Sequence, residues 1–197
     1  MSKSVACVRV SVLAAVVCLL APPLMAQTTL ISNLPGNDAT QSAGLSDLRV
    51  KGMGFTMPAG DDYILDHVTL RLETNGAVPA PIIELWTNSG GQLGSLVETL
   101  TNPTLAASGI AEYDFASAGA TLTAGAGYWI VAYGPAGAPT YSWKASSPAQ
   151  VPTGLATHLG ALWGTSGPPP TSTSSIVCSY SVTATLVPVE LQSFTIE

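Results

Sequence analysis

Residues 64–73 read ILDHVTLRLE, and apolar and polar side chains alternate along them. Val68, Leu70 and Leu72 fall on one side of an extended chain, whereas His67 falls on the other, because successive side chains of a β-strand point to opposite faces. The pattern predicts a strand with one face in a core and the other in water.

Short apolar runs bounded by Gly, Pro, Asn and Ser recur at intervals of about 10 to 15 residues, a spacing typical of an antiparallel sandwich or barrel. No long amphipathic helix interrupts them. Further strands are predicted at 82–87, 95–101, 112–115, 128–133, 141–144 and 178–186.

Two of these strands carry specific expectations. Residues 128–133 are apolar at both alternating sets of positions, which predicts a central strand covered on both faces. We expect 141–144 to pair with it across a turn at 134–139. In 112–115 acids and aromatics alternate, so Tyr113 and Phe115 are predicted to point inward.

The composition is that of one globular domain. The chain has 197 residues, of which 47% are hydrophobic and 9% are charged. Disordered chains have too few apolar residues to match this, and coiled coils need more charge. The formal net charge of −6 argues against nucleic acid as a partner.

Residues 1–26 have the features of a cleavable signal peptide. Lys3 and Arg9 supply its positive region, 10–20 is an apolar run, and Ala26 is a small residue suited to cleavage before Gln27. A membrane anchor is the alternative, but the apolar stretch is short for a helix of about 20 residues. We expect export and no transmembrane segment in the mature chain.

Removal of the signal peptide changes the charge and the cysteine content. Without Lys3 and Arg9 the formal net charge goes from −6 to −8. Cys7 and Cys18 leave with the same segment, so Cys178 is the one cysteine of the mature chain and no intrachain disulfide forms. Its position in the alternating run 178–186 predicts a buried, unreactive thiol.

The strand and turn motifs occur in a recognisable order. They lie at 54–56, 63–72, 84–87, 90–94, 97–100, 113–115, 122–125, 128–131 and 141–143. Together they resemble the bacterial choice-of-anchor R domain family, an exported module joined to different C-terminal sorting tails. The resemblance covers roughly 48–145 and extends more loosely to Leu186. It implies a β-sandwich of jelly-roll type at the cell surface or outside the cell, without catalytic residues.

The last ten residues, 188–197, read PVELQSFTIE. Pro188 cannot donate a ladder hydrogen bond, so it is predicted to end the last strand. The string after it resembles the opening of C-terminal modules of proteins exported to bacterial surfaces. We expect 27–187 to form the sandwich domain and 188–197 a sorting or assembly segment through which the protein self-associates; packing of the tail on its own sandwich is the alternative.

The sequence offers little for catalysis, and we predict a protein that is not an enzyme and has no cofactor. His67 and His158 are the two histidines, and no nucleophile motif surrounds either. Asp61, Asp62 and Asp66 cluster in a way that would suit calcium. A turn before the strand explains the same residues, since Asp favours such positions, and we favour the turn over a metal site.

Aromatic residues are the remaining site candidates. Trp86 and Trp129 are expected to fill the core, whereas Trp143, Trp163 and Tyr141 are candidates for exposed contact with a glycan. Our first hypothesis is a non-catalytic structural module of a bacterial surface or extracellular matrix, whose partner is an unidentified surface or matrix component. The alternative is a carbohydrate-binding module that uses exposed Trp and Tyr residues.

Overall fold

The computed structural model describes residues 26–36, 42–75, 80–136 and 141–187. Residues 1–25 of the predicted signal peptide and the predicted tail at 188–197 lie outside the described residues.

The described residues form β-strands and no helix. In chain order the strands are β1 (Gln27–Ser32), β2 (Ser42–Leu45), β3 (Val50–Thr56), β4 (Tyr63–Asn75), β5 (Ile82–Ser89), β6 (Gln92–Thr99), β7 (Ser108–Ala116), β8 (Thr121–Leu122), β9 (Gly127–Tyr133), β10 (Tyr141–Lys144), β11 (Thr153–Gly154), β12 (Thr157–Gly164), β13 (Ser172–Thr173) and β14 (Tyr180–Leu186).

Eight of these strands build two antiparallel sheets that face each other. The first sheet has the order β1-β14-β4-β7, and the second has the order β3-β9-β5-β6. We call these eight strands the frame. Consecutive strands of the frame alternate between the two sheets, except for the β5–β6 hairpin. This is the arrangement of a jelly roll, and the predicted all-β antiparallel sandwich is confirmed.

The remaining strands extend this frame at its margins. β11 adds to β1 in the first sheet, and β12 followed by β13 adds to β3 in the second. β2 and β10 pair with each other, and β10 joins β4. Strands β10 to β13 all come from the chain between β9 and β14, so that segment supplies most of the strands at the margins of the frame.

The expected pairing of 141–144 with 128–133 is wrong. β10 lies in the first sheet, where Trp143 pairs with Ala43 of β2 and with Leu72 of β4. β14 pairs with β4 as far as Leu70, and the backbone N–H of Arg71 donates to the carbonyl of Ser179, so the hydrogen bonds of β4 beyond that point need another strand. β10 supplies those hydrogen bonds, which buried backbone groups require.

The main core lies between the sheets and follows the predicted alternation. On β4, Val68, Leu70 and Leu72 are buried, and on β7 Tyr113 and Phe115 point inward with them. The residues between them along each strand face outward. The sequence pattern therefore placed the inner faces of both strands correctly.

The central strand β9 is covered on both faces, as its composition predicts. Ile130 packs in the main core, whereas Trp129 and Val131 pack in a second cluster on the outer side of the second sheet. The ring of Trp129 lies against Gly54, where a Cβ atom would come within 2.8 Å of it. Trp129 is buried as expected, but on the outer face rather than between the sheets. Trp86 is half-buried in the same outer cluster.

Candidate functional site

The three aromatic residues proposed for glycan contact do not share an exposed surface. Trp143 and Tyr141 are 0% and 1% exposed, which corrects the expectation that they contact a ligand. Both belong to β10, whose pairing between β2 and β4 turns them into the main core. The indole N–H of Trp143 donates to the carbonyl of Ser179 at 2.9 Å. Trp163 remains, and it is 41% exposed.

Trp163 lies near the end of β12, directly across from Lys51 on β3. Their side chains share one face of the second sheet. A cleft of about 250 Å³ opens beside them, lined by Gly44, Arg49, Val50, Lys51, Trp163, Gly164 and Thr165. We call this site the cation–tryptophan cleft.

Two further clefts adjoin the cation–tryptophan cleft and share Trp163 with it. One of about 330 Å³ also includes Lys51 and is lined by Thr173, Ser174, Ser175 and Ile176. The other, of about 420 Å³, follows the chain from Gly164 through Pro168 and Pro169 to Ser172. The indole of Trp163 is therefore reachable from several sides through walls made mainly of Ser, Thr, Gly and Pro.

Lys51 is held at the wall of the cation–tryptophan cleft. Its ammonium donates to Ser174 Oγ at 2.9 Å and lies 6.0 Å from the centroid of the Trp163 ring. This distance is at the outer limit of a cation–π contact. The residue is only 8% exposed. Burial lowers the pKa of Lys51, because desolvation penalises the charged ammonium.

The charge pattern distinguishes the cation–tryptophan cleft from the rest of the described surface. Of the four cations in the described chain, Arg71 pairs with Glu112 at 3.1 Å and Lys144 pairs with Glu73 at 3.2 Å. Within the same residues, Arg49 and Lys51 have no carboxylate within ion-pair distance. The two cations without a carboxylate partner thus line the same cleft.

The cation–tryptophan cleft lies at one end of the sandwich, and the start of β1 and the end of β14 lie at the opposite end. β1 begins at Gln27, opposite Thr185 near the end of β14. At the same end Asp62, which follows β3, accepts a hydrogen bond from the backbone N–H of Ala124, which precedes β9. This contact places the end of β3 and the start of β9 at that end of the sandwich. β3 therefore starts at the far end, where Lys51 lies.

Sequence reasoning missed Arg49 and Lys51. Their closeness in sequence gives little warning, since most such pairs lie on a solvated strand. The signal that could have found them is the small number of cations: after the predicted cleavage the chain has four, and Arg49 and Lys51 are two of them. The partner ring of Trp163 and the hydroxyl of Ser174 come from more than 100 positions away, so spacing could not reveal them.

The residues considered for catalysis and metal binding are engaged elsewhere or lie apart. His67 is on β4 of the first sheet and His158 on β12 of the second, so they do not meet. Asp62 accepts from the backbone of Ala124 and Asp66 accepts from Thr185 Oγ1, each at 2.8 Å. Among the described residues no three His, Cys, Asp or Glu side chains group closely enough to hold a metal ion.

Cys178 is buried, as its place in the alternating run predicts. It lies in the main core, and its backbone N–H points to the sulfur of Met53 at 3.4 Å. Burial raises the pKa of the thiol to about 12. The thiol is therefore protonated at neutral pH, and thiolate chemistry needs the deprotonated form.

Within the described residues no helix has the length and apolar character needed to cross a membrane. Comparison of the chain with protein-family models, with curated proteins and with solved structures finds no match.

Proposed function

We propose that this chain is a non-catalytic exported β-sandwich module that serves as a structural component of a bacterial surface or extracellular matrix. The supporting observation is the pairing of the first and last frame strands. Gln27 at the start of β1 lies opposite Thr185 near the end of β14. The start of β1 and the end of β14 therefore lie side by side.

This arrangement suits a module attached at one end. Whether the attachment precedes β1 or follows β14, the opposite end of the sandwich points away from it. The antiparallel β1–β14 pair would separate one hydrogen bond at a time if the two ends were pulled apart, so the geometry favours a displayed module over one stretched in line. The positive start of the chain and the resemblance to choice-of-anchor modules support the same location.

Cell fractionation with intact-mass analysis tests this proposal in the producing bacterium. We expect the protein in the surface or matrix fraction, beginning at Gln27. The control replaces both Lys3 and Arg9 by Glu, which removes the positive region that signal peptides need; this variant should stay inside the cell and keep residues 1–26. Recovery of the unaltered chain from the cytosol with residues 1–26 attached would contradict the proposal.

A second candidate function is carbohydrate binding, and the exposed indole of Trp163 favours it. The residues differ from those predicted from sequence, because Tyr141 and Trp143 are in the core. A glycan array on the mature protein, repeated with Trp163→Ala, tests this candidate. Binding that is lost in the variant supports it. No binding by the folded protein, or equal binding by the variant, counts against it.

Retention separates the two candidates. If the module is structural, Trp163→Ala should remain in the surface or matrix fraction after washing. If a glycan holds the protein, the variant should appear in the wash.

A further inference from the structure

We propose that the cation–tryptophan cleft binds an anionic sugar residue of a surface or matrix polysaccharide, with Trp163 against the ring face and Arg49 and Lys51 on the carboxylate or sulfate group. This inference rests on the second candidate function and names the class of sugar that the cleft would accept.

The first argument is the state of the tryptophan N–H groups. Those of Trp86, Trp129 and Trp143 donate to Glu84, Asn88 and the carbonyl of Ser179, respectively. The N–H of Trp163 has no hydrogen-bond partner among the described residues. Because the residue is 41% exposed, Trp163 offers both an apolar face and an uncommitted donor. A sugar ring presents the complementary features: C–H groups on its face and hydroxyl oxygens on its edge.

The second argument is the sign of the charge. Arg49 and Lys51 are the charged residues among those lining the three adjoining clefts, and both are cations. No carboxylate of the described chain neutralises them. In a chain of net charge −6, a local pair of unneutralised cations favours an anionic group.

The third argument is the polarity of the cleft walls. Thr165 and Ser175 supply hydroxyl groups, and Gly44 and Gly164 line the same walls without side chains. Binding sites of this kind combine an aromatic surface with a few polar groups that fix orientation. Such walls match the hydroxyl groups of a sugar better than they match an extended apolar ligand.

Lys51 is positioned before any ligand arrives. Its hydrogen bond to Ser174 Oγ fixes the ammonium near the ring of Trp163. A ligand anion would stabilise the charge that burial disfavours, so the protonated amine and the anion favour each other. Arg49 is exposed at the rim, where its guanidinium can pair with a carboxylate or sulfate through two N–H groups.

Binding is measured by calorimetry on the mature protein with three oligosaccharide sets of equal length: oligogalacturonates, sulfated oligosaccharides and neutral oligodextrans. Binding of the first set assigns a carboxylate, binding of the second assigns a sulfate, and either result supports the proposal if the neutral set does not bind. Equal binding of neutral sugars would overturn it. Equal binding of polyglutamate would also overturn it, because an acidic peptide has no sugar ring.

Variants locate the contact. Trp163→Ala should lower affinity at least about tenfold, and Arg49→Gln and Lys51→Met should each lower it about fivefold to tenfold, the scale of one charge or stacking contact. Arg71→Gln is the matched control, since Arg71 already pairs with Glu112. Arg49 is exposed, so Arg49→Gln tests the site without altering the core.

The outcomes separate this inference from the proposed structural role. An equal loss in Arg71→Gln and Arg49→Gln would mean that overall charge rather than the cation–tryptophan cleft controls binding, and would overturn the inference. Absence of binding to any anionic set by the folded protein would overturn it too. In either case the protein could still be found in the surface fraction, so the structural proposal would stand or fall on the fractionation result.

Discussion

Cys178 couples its ionisation to folding. Burial raises the pKa of the thiol from 9.0 to about 12, so above pH 9 the unfolded chain loses this proton and the folded chain keeps it. The unfolding free energy should therefore fall above pH 9 by about 1.4 kcal/mol per pH unit for this group. Cys178→Ala should remove that part of the slope.

Urea unfolding at pH 8, 9 and 10 measures the effect. The other alkaline groups are present in both proteins, so the difference between their curves reports the thiol. Parallel curves from pH 8 to 10 would show that Cys178 ionises as readily in the folded chain as in the unfolded one.

Asn33 joins three parts of the chain at the end of β1. Its amide donates to the carbonyls of Gln150 and Cys178, and its Oδ1 accepts from the backbone of Tyr180. Asn33→Ala leaves buried groups unpaired, and we expect it to lower the unfolding free energy by about 2 to 4 kcal/mol. The control is Asn102→Ala at an exposed position, which should change the unfolding free energy by less than about 0.5 kcal/mol.

Gly54 and Gly52 occupy the same face of β3 but differ in the room they leave. A Cβ atom at Gly54 would lie 2.8 Å from the ring of Trp129, whereas at Gly52 its nearest contact is 3.5 Å, an ordinary van der Waals distance. Gly54→Ala should lower the unfolding free energy by about 1 to 3 kcal/mol. Gly52→Ala should be close to neutral. Thermal unfolding of both variants checks this, and equal effects would show that the ring does not rest on Gly54.

The residue-level errors share one cause. Trp143 and Trp163 stand in similar sequence surroundings, close to Gly, Pro and Ser, yet Trp143 is buried and Trp163 exposed. Both have a paired strand on each side, β2 and β4 for Trp143 and β3 and β13 for Trp163. What separates them is position: Trp143 lies in the main core between the sheets, whereas Trp163 is the second-last residue of β12. Local composition does not contain that information.

At the level of strands, the alternation of apolar and polar residues predicted correctly which side chains are buried. β4 and β7 each have one dry and one wet face, so a period of two reports their burial directly. β9 lacks this alternation because both its faces are covered, and its uniformly apolar composition predicted that coverage. The predicted pairing of β10 is wrong, because β10 pairs with a strand that is far away in sequence and whose backbone groups need hydrogen-bond partners at that point.

Glu84 ties β5 to its neighbour β9. It is 7% exposed and accepts from the indole of Trp86 at 2.8 Å and from the hydroxyl of Tyr133 at 3.0 Å. Burial, together with this carboxylate, raises the pKa of Tyr133 to about 12. Glu84→Gln removes the negative charge, so the pKa of Tyr133 should fall toward its ordinary value of 10.0.

Spectrophotometric titration of the tyrosines measures this change. Glu112→Gln provides the control, since Glu112 lies on β7 in the other sheet. An unchanged titration in Glu84→Gln would assign the raised pKa of Tyr133 to burial alone.

At the scale of the whole molecule, the strand pattern predicted the class of fold but not its sheet order. A succession of short strands fits a sandwich or a barrel equally well, and the jelly-roll expectation came from the family resemblance. The position of the cation–tryptophan cleft relative to the start of β1 and the end of β14 depends on which strands run beside β3 and β14. Those neighbours are set by contacts between distant parts of the chain, which periodicity does not encode.

Single-cysteine labelling on intact producing cells tests most directly whether the module displays the cleft end outward. Ser166→Cys lies beside the cation–tryptophan cleft, and Ala59→Cys lies in the β3–β4 turn at the end of the sandwich where β14 stops; both positions are exposed. Buried Cys178 should add no background. With a bulky, membrane-impermeant maleimide, we predict faster labelling of Ser166→Cys than of Ala59→Cys, and equal rates for the two purified proteins. Faster labelling of Ala59→Cys on cells, or labelling of both variants only after lysis, would contradict an exported module that presents this cleft.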